Sequence, residues 1–188
     1  MNHSKIKNLV LCALFAAITA ILAQVTIPLP VVPITGQTFA VALTATILGS
    51  RYGTLSMLVY ALLGAVGLPV FSGMSGGFGV IIGPSGGYII GFIVTAFVTG
   101  WILERTKFNL PMALVANIIG MIVTLVIGTI QLKLIADLSW TKALALGAYP
   151  FILVGLIKAA LASWVGIVVR RRLEKLGLLH ASKVETAA

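Results

Sequence analysis

Four polar residues stand within long apolar segments of the sequence: Gln37, Tyr88, Asn117 and Lys158. If these segments cross a membrane, a lone ammonium there is costly and usually faces a polar cavity and a partner. That partner could be an anionic ligand or Asp137 in the preceding loop, and snorkelling to the interface is the alternative. The two amides could meet a ligand or bond a neighbouring helix, and Tyr88 could face the same cavity or belong to an interfacial aromatic belt. Of these roles, we favour a ligand or cavity contact for Lys158.

Groups suited to catalysis or metal binding are few. The sequence holds two histidines near its ends, His3 and His180, and one cysteine, Cys12. These cannot assemble a His/Cys metal site or a disulfide framework. The four acidic residues are Glu104, Asp137, Glu174 and Glu185, and there is no phosphate-binding GxxxxGK[ST] loop. We therefore expect no enzyme, and any energy for uphill transport must come from other chains.

Composition decides which elements position these residues. Apolar residues make up 60% of the 188 residues and charged ones 9%, which leaves too little polar surface for a water-soluble domain. A helical crossing of the bilayer needs about 20 apolar residues, so charge-free intervals mark the crossings. We predict one all-α integral membrane domain, residues 1–188, with six transmembrane helices near 6–25, 35–50, 53–67, 85–104, 109–133 and 145–170.

The basic residues predict how this bundle is oriented. Positively charged loops mark the cytoplasmic side, and one face of a six-span bundle collects most of them: Lys5, Lys7, Arg51, Arg105, Lys107, Arg170, Arg171, Arg172, Lys175 and Lys183. Both termini are therefore predicted to be cytoplasmic. These charges are juxtamembrane anchors rather than a patch with interleaved aromatics, so we expect no nucleic-acid binding. A cleavable signal peptide is the alternative for the first span, and an uncleaved span is the simpler interpretation.

Two uncharged segments on the opposite face could close over a ligand. Residues 26–38 read TIPLPVVPITGQT, and residues 68–88 read LPVFSGMSGGFGVIIGPSGGY. Glycines allow close approach of the backbone to a ligand, and prolines stiffen the turns. Val70, Phe71, Phe78, Val80, Ile81 and Ile82 would bury apolar area if the second segment folded inward. We favour such a lid over a flexible linker.

The first span carries small residues at helical spacing. Ala13/Ala17 and Ala16/Ala20 form small-xxx-small pairs, which let another helix approach closely. That helix could belong to the same chain or to a separate subunit.

Three motifs together give the chain a family resemblance. They are IPLPVVPITGQTFAV at 27–41, GLPVFSGMSGGFGVIIGPSGGYIIGF at 67–92, and ALGAYPF with the later Lys158. With these motifs the chain resembles BioY, the biotin-specific substrate-binding (S) component of energy-coupling factor (ECF) transporters. The resemblance covers almost the whole chain.

The resemblance implies a multi-pass subunit in the plasma membrane of a prokaryote, with an S-component-like bundle that captures biotin at the extracellular side. ATP-driven uptake would then require a transmembrane coupling subunit and two cytoplasmic ATPases. It implies docking to the coupling subunit through Ala13 and Ala17, and no cofactor, with biotin as the transported ligand. We hypothesise that the ligand-binding residues are Gln37, Phe78, Ser85, Tyr88, Asn117 and Lys158. The alternative function is a self-sufficient biotin facilitator without ATPase partners.

One position departs from the family pattern. Members often read PFxPGDxxK, whereas this chain reads PFILVGLIK, with Gly155 in place of the aspartate. Lys158 thus lacks the usual carboxylate neighbour three residues before it. The departure favours a direct contact of Lys158 with the ligand or with Asp137.

Overall fold

The computed structural model describes residues 3–179, and it does so without the side chains of residues 3 and 4. The predicted cytoplasmic residue Lys183, and His180 and Glu185, lie outside the described residues. In chain order the elements are α1 (His3–Leu22), β1 (Thr26–Ile27), β2 (Ile34–Thr35), α2 (Gln37–Ala65), a 3-10 turn (Ser72–Met74), α3 (Phe78–Ile82), α4 (Gly86–Arg105), α5 (Leu110–Ile135), α6 (Trp140–Gly147) and α7 (Tyr149–Lys175).

Helical segments of membrane length dominate the described chain. Four stretches of it are long and apolar enough to cross a bilayer: Lys5–Leu22, Gly86–Arg105, Leu110–Ile135 and Trp140–Lys175. Helix α2 is broken at Gly49, and its two halves complete a set of six helical segments. The prediction of an all-α membrane protein with six helices is confirmed. The short helices α3 and α6 are not among the predicted elements.

The break in α2 is a tight turn rather than a bend. Gly49 has φ 76° and ψ −171°, a conformation that residues with a Cβ rarely adopt. A Cβ on Gly53 would lie 3.3 Å from Cα of Ala45, eight residues earlier. In a straight helix those residues would be about 12 Å apart along the axis. The halves 37–48 and 50–65 therefore fold back on each other as an antiparallel pair.

Two charged side chains hydrogen-bond backbone groups on either side of this turn. Arg170 Nη1 of α7 donates to the carbonyl oxygen of Ile47 at 2.6 Å, at the end of the first half. Glu104 of α4 accepts from the backbone N–H of Ser50 at 2.7 Å and from its hydroxyl at 2.6 Å. A cation thus meets the carbonyl end of one half and an anion meets the amide end of the other, as the helix dipoles favour. The turn needs no additional loop residues to satisfy these groups.

Small residues allow the helices to pack closely around α4. A Cβ on Gly100 would lie 2.2 Å from the backbone nitrogen of Ser50, and one on Gly120 would lie 2.4 Å from Oγ1 of Thr99. Between α4 and α5, Thr95 Oγ1 donates to the carbonyl oxygen of Gly120 at 2.8 Å. Small side chains with hydroxyl bonds are typical of helix contacts in lipid, where burial of apolar area alone gives little preference for one neighbour.

The segments between helices are ordered at the end of the bundle opposite the Gly49 turn. Strands β1 and β2 pair antiparallel, with Thr26 opposite Thr35 and Ile27 opposite Ile34. Phe71 is fully buried and packs edge-on against Tyr60, with ring centroids 5.5 Å apart. It lies so close to α2 that a Cβ on Gly64 would fall 2.0 Å from its Cζ. The bundle core therefore continues into the segment that follows α2.

Candidate functional site

A cavity of about 170 Å³ lies among α2, α4, α5 and α7, beneath the two segments that were expected to form a lid. This volume limits an occupant to one small molecule. Its walls are mostly apolar, with a few polar side chains, as is usual for small-molecule sites. The lining includes the predicted residues Gln37, Ser85, Tyr88, Asn117 and Lys158, together with Val32, Thr35, Thr38, Phe71, Val80, Phe92, Met121, Phe151 and Gly155.

Lys158 is the one charged residue lining this cavity in the described part of the chain. Its Nζ donates to the carbonyl oxygen of Thr35 at 2.6 Å and lies 3.2 Å from Oγ1 of Thr38. An ammonium has three donors, so one remains for an occupant of the cavity. Within residues 3–179 Lys158 makes no ion pair with Asp137, whose backbone lies in the left-handed region, with φ 47°. The positive charge is thus held at the cavity wall by neutral acceptors.

The amide of Asn117 is buried where α2, α5 and α7 meet, with 2% of the residue exposed. Its Nδ2 donates to Oγ1 of Thr46 at 3.0 Å and to Oγ of Ser163 at 2.9 Å. Its Oδ1 has no hydrogen-bond partner in residues 3–179. Asn117 lines the cavity, and a buried acceptor without a donor is unfavourable, so this residue brings an unsatisfied acceptor to the site.

Gln37 and Tyr88 line the cavity, and their polar atoms form hydrogen bonds with other residues of the protein. Gln37 Nε2 donates to the hydroxyl of Tyr60 at 2.5 Å, and its Oε1 accepts from Thr35 Oγ1 at 2.7 Å. The hydroxyl of Tyr88 donates to the carbonyl oxygen of Gly147 at 2.7 Å, at the end of α6. These polar groups therefore support the cavity walls, while one Nε2 hydrogen of Gln37 and the acceptor capacity of the Tyr88 hydroxyl oxygen remain.

Ser85 and Phe78 have opposite placements. Ser85 lines the cavity, and its hydroxyl makes no capping bond at the start of α4. Phe78 begins α3 with 65% of its surface exposed and does not line the cavity. The structure therefore does not bring Phe78 to the other proposed contacts, because α3 turns this ring outward while Val80, on the same helix, reaches the cavity.

The two segments over the cavity, residues 26–38 and 68–88, are held by hydrogen bonds with the side chains of Gln24, Gln37 and Gln131. Gln24 Nε2 donates to the carbonyl oxygen of Phe71 at 3.0 Å, and its Oε1 accepts from the N–H of Met74 at 2.9 Å. Gln131 Nε2 donates to the carbonyl oxygens of Ile81 and Gly83, both at 2.8 Å. Gln24 and Gln131 are not among the predicted site residues, although each is a lone amide at the outer end of an apolar span, a signal that could have identified them.

The wall at Gly155 is occupied by a neighbouring side chain. A Cβ on Gly155 would lie 2.4 Å from Sδ of Met121. Both residues line the cavity. The thioether of Met121 therefore occupies the space that a side chain at position 155 would need, and the wall beside Lys158 is apolar.

The small residues of α1 divide between two faces. Ala16 is buried against the bundle, whereas Ala13 and Ala17 are exposed on the surface. Within the described chain, the Ala13/Ala17 pair is therefore left free for lipid or another subunit rather than used for packing in the bundle.

Comparisons with known proteins agree on one family. The sequence model described as "BioY family" matches residues 1–175. The chain is 42% identical over 173 residues to the biotin transporter BioY2 of Lactococcus lactis subsp. cremoris, covering 92% of this chain and 95% of that protein. It is 39% identical over 171 residues to the biotin transporter BioY of Thermotoga maritima, covering 90% and 97%. A solved S-component for biotin from an ECF-type ABC transporter superposes with a TM-score of 0.84 at 31% identity, covering 91% of this chain and 94% of that one.

Proposed function

Because this chain belongs to the BioY family, we propose that it is the high-affinity biotin-binding S component of an ECF-type importer, which captures biotin at the extracellular side. The observation that carries the proposal is a cavity lined by two polar groups that a ligand could satisfy. One is a cation, Lys158, held by neutral acceptors, and the other is the buried carbonyl oxygen of Asn117.

The charge at the cavity favours an anionic ligand. Lys158 is partly buried, and among residues 3–179 no carboxylate lines the cavity beside it, since Gly155 and Met121 make that wall apolar. A carboxylate that enters the cavity gains a charge-assisted hydrogen bond in a site of low dielectric. Biotin brings such a carboxylate on an aliphatic tail.

The rest of the cavity suits the body of the same ligand. Phe71, Phe92 and Phe151 provide apolar walls for a bicyclic ring system. The unpartnered oxygen of Asn117 can accept from a ureido N–H. Gln37, Ser85 and Tyr88 complete the contact set. Phe78 would join it only through a movement of α3, so we do not include it.

Transport itself is assigned to a complex. The sequence holds no phosphate-binding loop, and the exposed Ala13/Ala17 pair offers a surface where a helix of a transmembrane coupling subunit can approach closely. Two cytoplasmic ATPases bound to that subunit would supply the energy. In this arrangement both termini face the cytoplasm, and the complex resides in the plasma membrane of a prokaryote.

Equilibrium binding of labelled biotin to the purified chain tests the function. We expect affinity tighter than micromolar for the wild type and clear loss in Asn117→Ala, whereas Lys142→Ala, an exposed lysine on α6, should bind like the wild type. Micromolar or weaker binding by the wild type, or no loss in Asn117→Ala, would count against the proposal.

Uptake by vesicles separates the importer from a self-sufficient facilitator. We expect vesicles that contain this chain alone to bind biotin without accumulating it, and copurification from native membranes to retain the ATPases. Sustained accumulation by the chain alone would favour the facilitator.

A further inference from the structure

Three side chains from three helices meet at Asn117. Thr46 lies in the first half of α2, Asn117 in α5 and Ser163 in α7, and all three are buried. Both hydroxyl oxygens lie within 3.0 Å of Nδ2 of Asn117. The contact therefore links the helices that surround the cavity.

The two hydroxyls can act only as acceptors toward this amide. Thr46 Oγ1 already donates to the carbonyl oxygen of Ala42 at 2.8 Å, and Ser163 Oγ donates to that of Ala159 at 2.6 Å. A hydroxyl has one hydrogen, so neither can also donate to Asn117. A flipped amide would place its oxygen against two oxygens whose hydrogens point elsewhere. The hydrogen-bond network therefore fixes which end of the amide faces the hydroxyls.

This arrangement leaves Asn117 with one kind of polar function to offer. Both Nδ2 hydrogens are used, and the unpartnered atom is the acceptor Oδ1. Lys158 lies five residues before Ser163 on α7, about 7.5 Å along the helix axis. The acceptor and the cation therefore lie at different depths, which suits a ligand with an N–H donor at one end and an anion at the other.

We propose that Thr46 and Ser163 are positioning residues that hold Asn117 as a pure hydrogen-bond acceptor and thereby select ligands with an N–H donor in the head group. This inference rests on the proposed function, because biotin supplies such donors in its ureido ring. Without the two hydroxyls, the side-chain amide of Asn117 can rotate and direct its N–H donors toward the ligand. The site would then also bind ligands that have no N–H donor in the head group.

The test compares dissociation constants of the purified full chain for biotin and for biotins methylated on a ureido nitrogen. We expect the wild type to prefer biotin by about tenfold or more over the weaker methylated form, the loss typical of an unmade buried hydrogen bond. In Asn117→Ala and in Thr46→Val/Ser163→Ala the preference should fall at least threefold. Thr44→Val is the matched control, because Thr44 is equally buried and donates to Ala40 but makes no bond to Asn117.

The outcomes separate the inference from the function. If the wild type does not bind biotin, the proposed function fails and takes this inference with it. If it binds, but the double variant keeps the wild-type preference, only the inference is overturned. The ratio of two dissociation constants does not depend on the amount of folded protein, and Ser163→Ala alone provides the same comparison if the double variant does not fold.

Discussion

Replacing Lys158 with methionine should weaken biotin binding through loss of one charged hydrogen bond. Methionine keeps the length and apolar stem of the side chain, so the cavity volume changes little. Two of the three ammonium donors have partners in Thr35 and Thr38, and the third is free for the ligand carboxylate. A hydrogen bond to a charged group contributes about 1.5–3 kcal/mol, which corresponds to a roughly 10- to 150-fold rise in dissociation constant.

The assay separates this ligand contact from damage to the site. Isothermal titration or labelled-ligand binding should be performed with biotin and with its uncharged amide. We expect Lys158→Met to lose the stated factor for biotin and much less for the amide, because only biotin brings the opposite charge. Thr38→Val is the control, since it removes the longer contact of the ammonium and leaves the charge in place. Equal losses for both ligands would refute a direct pairing of Lys158 with the carboxylate.

Three further substitutions test the fold around the site. Gly64→Ala places a methyl group in overlap with the Phe71 ring and should lower the free energy of unfolding by about 1–3 kcal/mol. Gly79→Ala is the control and should not lower it, because the space around Gly79 is open. Equal midpoints of the two variants in a thermal-shift assay would contradict this packing. Glu104→Ala removes both hydrogen bonds that cap the second half of α2 and should cost about 1 kcal/mol in detergent unfolding, with unchanged stability as the contrary result. Gln131→Leu releases two carbonyl oxygens near α3 and should speed biotin dissociation about fivefold in a chase experiment, with little change in the association rate; an unaltered dissociation rate would show that these bonds do not hold the segment closed.

The membrane fold and the placement of the polar residues could be predicted from the sequence because charged side chains are rarely tolerated in the lipid core. Charge-free intervals predicted six helical segments, and the cost of a lone cation in lipid placed Lys158 at a cavity. The same reasoning singled out Asn117 as a polar residue within an apolar span, and Asn117 lines that cavity.

The hydrogen-bond partners could not be predicted, because they come from distant parts of the chain. Gln37 bonds Tyr60, 23 residues away, and Tyr88 bonds Gly147, 59 residues away. No local pattern tells whether such a group meets a ligand or a neighbouring helix. The outward direction of Phe78 likewise depends on the short helix α3, which a glycine-rich sequence does not indicate.

The turn at Gly49 also sets an order of assembly. The carbonyl oxygen of Ile47 is satisfied by Arg170, which lies 123 residues later in the chain. Ile47 is buried in the folded bundle, so its carbonyl oxygen has the guanidinium of Arg170 as its partner there. During synthesis the hydrogen bonds to Ser50 and Ile47 can therefore form only after α4 and then α7 have been made. Among the helices of residues 3–179, the last in chain order thus supplies a hydrogen bond to the second.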